Sequence, residues 1–90
     1  MIGNVLKYPI NKIGEVITII MPTKLAICDI GVQNGDIFLW ALVDKFTPLR
    51  SYQFIVFGTG WEIEEVEKLT FLKTVHMKDG LIWHVFEIQE

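Results

Sequence analysis

From Leu25 to Asp44, LAICDIGVQNGDIFLWALVD, two largely apolar runs flank Asn34-Gly35. Successive side chains of a β-strand point to opposite faces, so each run would present two different faces. Asn-Gly between two such runs predicts a type I′ turn, because both central residues of that turn need positive φ. The stretch therefore reads as one long β-hairpin. With Asn34 and Gly35 at its tip, Gln33 faces Asp36, Val32 faces Ile37 and Ile30 faces Leu39; further along, Cys28 faces Ala41 and Ala26 faces Val43. These apolar partners share one face, which is expected to be core. The other face sets Gly31 opposite Phe38, Asp29 opposite Trp40 and Ile27 opposite Leu42. It mixes aromatic, aliphatic and acidic side chains, so a cover is expected over it, from the chain itself or from a partner.

The same pattern places shorter strands elsewhere. Asn4 to Ile10 and the β-branched run Glu15 to Met21 are expected to pair as a first hairpin, with Pro22 ending the second strand. The string VITII is prone to aggregate if it lies on an open sheet edge. Tyr52 to Phe57 forms another strand, broken by Gly58-Thr59-Gly60. Thr59 followed by Glu62 fits a capping box and predicts about two turns of helix from Gly60 to Lys68. Leu69 to Met77 and Leu81 to Ile88 form the last hairpin around Lys78-Asp79-Gly80. A two-residue turn and a type I turn with a bulge give different registers there, and so set either Val75 or Thr74 opposite His84. The expected fold is mainly β, a small antiparallel barrel or a two-sheet sandwich with one short helix near residues 60–68. Residues 1–90 make a single domain.

Composition changes this picture in one respect. Hydrophobic residues make up 51% of a 90-residue chain, and a domain this small hides so much apolar surface with difficulty. A homo-oligomer or a bound partner would resolve the mismatch. No apolar run reaches the roughly 18–20 residues that span a bilayer. The N-terminal MIGNVLKYPINK also lacks the marks of a signal peptide, so no membrane association and a cytoplasmic location are expected. Cys28 is the single cysteine, which excludes an internal disulfide; its position on the core face predicts a buried, inert thiol.

Net charge is −3 and unevenly spread. Residues 1–60 carry five basic and four acidic side chains, whereas residues 61–90 carry three basic and seven acidic ones. No clustered basic face is visible, so direct nucleic-acid binding is not expected. Gly58-x-Gly60 lacks the rest of a phosphate-binding fingerprint, and Glu62, Glu64 and Glu65 would repel an anion beside it. His76 and His84 are too few for a zinc site. Nucleophilic catalysis would need a Ser, Thr or Cys beside a histidine with an orienting acid, and Ser51, the lone serine, reads as a loop residue next to Arg50. No catalytic residue, cofactor or metal is therefore expected, and the chain reads as non-enzymatic. The candidate partner-binding residues are Asp29, Phe38, Trp40, Trp61, Glu62, Glu64, Glu65, Trp83 and His84, since tryptophan favours interface hot spots and the acidic run suits a basic partner.

Several strings also occur together in a known group of proteins. They are Lys7-Tyr8, Met21-Pro22, Gln33 with Asn34-Gly35, Leu39-Trp40-Ala41-Leu42-Val43-Asp44, Gly58-Thr59-Gly60, Thr74, and Trp83-His84-Val85-Phe86-Glu87. In these motifs, and in their order, the chain resembles a family of small, uncharacterised tailed-bacteriophage proteins. It departs from that family at Thr23-Lys24-Leu25, where a small or glycine-containing turn is expected, and at Trp61, where relatives tend to carry histidine. The second departure speaks against a catalytic histidine there. The resemblance implies a phage or prophage source and work in the cytoplasm of an infected bacterium. As a class, such proteins often bind and block a host protein, including a defence protein. A module sequestering a small ligand such as a nucleotide signal, and a virion structural or assembly component, are the alternatives.

Overall fold

The computed structural model describes residues 1–89. Its strands are β1 (Gly3–Ile10), β2 (Ile17–Met21), β3 (Lys24–Gln33), β4 (Asp36–Asp44), β5 (Arg50–Gly58), β6 (Leu69–His76) and β7 (Ile82–Ile88). They form two antiparallel sheets, ordered β1-β4-β3 and β2-β5-β7-β6, packed as a sandwich and not closed into a barrel. β3 and β6 lie against each other on one side, while β1 and β2 form the free edges on the other. No helix among the described residues is long and apolar enough to cross a membrane.

Alternation builds the core. Ile30, Leu39, Ala41 and Val43 point inward from the three-stranded sheet and meet Met21, Phe54, Val56 and Val85 from the four-stranded one, all at most 1% exposed. Glu87 is the buried charge in this layer. It pairs with Lys24 Nζ at 2.9 Å across the two sheets, while the Lys24 backbone N–H donates to Tyr52 Oη at 2.9 Å. A buried carboxylate needs such a partner, so this ion pair fixes how the sheets face each other.

The central hairpin turns where expected: Asn34 and Gly35 have φ of 52° and 82°, and Gln33 faces Asp36. The register holds through Asp29 opposite Trp40 and then slips. Bulges at Cys28 and Leu25 set Ile27 opposite Ala41 and Ala26 opposite Leu42. Each extra residue reverses the face of those beyond it. Cys28 is consequently exposed and not buried, Ala26 is exposed, and Ile27 packs on the core in their place.

Two other expectations are corrected. β1 and β2 do not pair with each other: β1 pairs with β4, and β2 with β5. The six residues between them cross from one sheet to the other, held by the Gly14 N–H on the Val56 carbonyl at 2.8 Å. The helix over residues 60–68 is also absent. A single 3₁₀ turn, Val66–Lys68, stands there, because Gly60 and Glu65 are both left-handed, at φ 84° and 52°, and a helix cannot run through either. The last hairpin has the bulged turn, with Gly80 N–H on the Met77 carbonyl, Met77 N–H on the Leu81 carbonyl and Gly80 at φ 90°, so Thr74 faces His84.

Candidate functional site

The Gly58-Thr59-Gly60 turn shapes the first cluster. Left-handed Gly60 lets the Trp61 N–H return to the Gly58 carbonyl at 3.2 Å, which lays the Trp61 ring over Gly58. The approach is so close that a Cβ on Gly58 would sit 2.7 Å from the indole. Gly14, left-handed in the β1–β2 crossing, touches the same ring; a Cβ there would lie 3.4 Å from it. Trp83, opposite Gly58 on β7, meets Trp61 edge-on with centroids 5.9 Å apart. The two indoles, with Thr59, Leu81 and Ile82, line an open pocket of about 490 Å³ at one end of the four-stranded sheet.

His84 lies beside this pocket. β7 pairing sets it between Phe57 of β5 and Thr74 of β6. Its Nε2 is 2.7 Å from Thr59 Oγ1 and its Nδ1 is 2.9 Å from Thr74 Oγ1. A hydroxyl either donates or accepts, so both ring nitrogens are satisfied and the imidazole is fixed in orientation. Neither ring partner is a carboxylate, so the group that orients the base in a nucleophile–histidine relay is not among its contacts.

Of the expected residues, the structure brings Trp61, Trp83 and His84 together and leaves the others elsewhere. Glu62, Glu64 and Glu65 follow Trp61 as an exposed, non-helical acidic stretch; Glu65 pairs with Lys68 at 3.0 Å. Phe38, Trp40 and Asp29 lie on the outer face of the three-stranded sheet. There the two rings stand 6.2 Å apart and the Trp40 ring passes over Gly31. The expected cover over them is one side chain: Lys7 of β1 reaches across, with Nζ 4.1 Å from the Phe38 centroid, and donates to Gln33. Asp29 binds Lys73 Nζ of the facing sheet at 2.6 Å, and its pKa is lowered by that hydrogen bond and by one from the Ile30 N–H.

Thr74 was one of the two residues that the sequence set opposite His84, and the bulged turn at Lys78-Asp79-Gly80 selects it. Sequence reasoning missed Thr59 as the second partner of His84, and Lys7 over Phe38. Both contacts depend on pairing between strands distant in sequence.

A family model covers residues 1–90 from end to end. The chain belongs to the family described as Domain of unknown function (DUF7352). No curated protein and no solved structure matches it. The family description carries no activity, so the Trp61–Trp83 pocket has to be read from its own chemistry.

Proposed function

We propose that this DUF7352 protein is a non-enzymatic interaction module, a phage accessory protein that binds and inhibits a host protein in the bacterial cytoplasm. The observation behind this reading is the open pocket between Trp61 and Trp83, held by two glycines, with the exposed acidic stretch Glu62, Glu64 and Glu65 following Trp61 along the chain. Indole walls around a concave apolar site have the make-up of an interface hot spot. The acidic flank favours a partner that presents an apolar side chain next to lysine or arginine. Phage origin and a host target rest on the sequence resemblance alone. The pocket volume also falls in the range of roughly 300–1,000 Å³ typical of small-ligand sites, which keeps sequestration of a small molecule as the second reading.

The test is native mass spectrometry of tagged protein recovered from a bacterial lysate, followed by affinity measurement with what is captured. Trp61→Ala is expected to keep the fold and to weaken binding at least about tenfold, roughly 1.4 kcal/mol. Trp40→Ala, on the other sheet, is expected to leave it unchanged. Added mass of small-molecule size would favour the second reading, and full binding by Trp61→Ala would remove the pocket from the contact.

A further inference from the structure

The two sheets present four edge strands, and three are guarded against pairing with another chain. Pro9 interrupts the donor row of β1. Two bulges break β3, and one breaks β6 beside Lys73. β2 has no such device. Ile17–Met21 pairs residue for residue with β5 and contains no proline, charge or bulge. Its outward side chains, Thr18 and Ile20, are uncharged and uncovered: Ile20 is 58% exposed, and Val16, just before the strand, 48%.

We infer that β2 is a self-association edge, where a second copy of this chain adds its own β2 antiparallel across a two-fold axis at Thr18. The occupant is set by self-complementarity, which a two-fold interface requires. In this register Thr18 faces the partner's Thr18, and Val16 faces the partner's Ile20, on both sides of the axis. All are β-branched, and Thr–Thr is a favourable cross-strand pair. On the inward side, Ile19 meets the partner's Ile17 beside a groove of about 300 Å³ left between β1 and β2, lined by Tyr8 and Pro9. Charge agrees too. Glu15, in the bend before β2, comes to the end of the pairing where the partner's Met21 lies beside Arg50 of β5. Each end thus carries an exposed carboxylate from one copy and an exposed guanidinium from the other, one strand apart, although each chain carries net −3. The product is one continuous eight-stranded sheet with β2 no longer at an edge, and none of the residues lining the Trp61–Trp83 pocket lies on β2.

The experiment is light scattering of the purified chain over rising concentration, with charge variants at the axis. The wild type is expected to double its 10.4 kDa mass as concentration rises. Thr18→Lys and Thr18→Glu should each stay monomeric with an unchanged far-UV spectrum, because like charges then face each other across the axis. An equimolar mixture of the two should recover the dimer. Ile20→Lys serves as a second variant if either of these fails to fold, and should also be monomeric. A wild type that stays monomeric at all concentrations would overturn the inference. So would a dimer untouched by these variants, or a mixture that does not reassociate.

Discussion

Gly58 shows what one side chain, or its lack, decides. No residue with a Cβ fits beneath Trp61 without moving the indole, which stands 2.7 Å from the position that atom would take. Gly58→Ala is expected to displace Trp61 from Trp83 and open the pocket wall, at a cost of about 1–3 kcal/mol. A red shift in tryptophan emission together with lowered stability in urea would report it; unchanged emission would mean the ring has room to adjust in place. Asp29 decides something at the other sheet. The hydrogen bond from Lys73 stabilises the ionised carboxylate and lowers its pKa. The stabilisation from this contact is therefore complete above the ordinary carboxylate value of about 3.9 and fades as pH falls through the lower folded-state value. In an NMR titration the Asp29 carboxyl should show a midpoint below that of a free aspartate, and Lys73→Met should raise it. An Asp29 midpoint that Lys73→Met leaves in place would assign the shift to the backbone contact alone.

The central hairpin separates what its local sequence encodes from what its surroundings impose. Asn34-Gly35 specifies the turn and Ile30, Leu39 and Val43 the buried face, so Leu39→Ala should cost about 2–5 kcal/mol in denaturant unfolding. A loss below about 1 kcal/mol would contradict Leu39's place in the core. The bulges at Cys28 and Leu25 were not legible. Leu25 to Cys28 is apolar throughout, so no polar position in it marks where the register slips. The missing helix failed for a local reason. Thr59 and Glu62 have capping-box spacing, yet Gly60 takes the left-handed conformation that brings Trp61 back over Gly58. The candidate site was half legible: Trp61, Trp83 and His84 could be singled out by residue type, whereas their union depends on the register between β5 and β7.

In the whole molecule, three of the five strand pairings join strands that are not neighbours in sequence. β1 finds β4 and β2 finds β5 because each connection before β3 crosses the sandwich, which is why a hairpin of the first two strands was the natural but mistaken expectation. That crossing also sets an order in time. A chain made from its N-terminus offers β2 no partner until Arg50 to Phe54 have been made and freed. During that interval the aggregation-prone string VITII is bare on the nascent chain. The β3–β4 hairpin, whose strands are adjacent in sequence, closes in the meantime and gives β1 its dock. The stretch left unpaired longest during synthesis is therefore the same one that stands at the edge of its sheet once the single chain has folded.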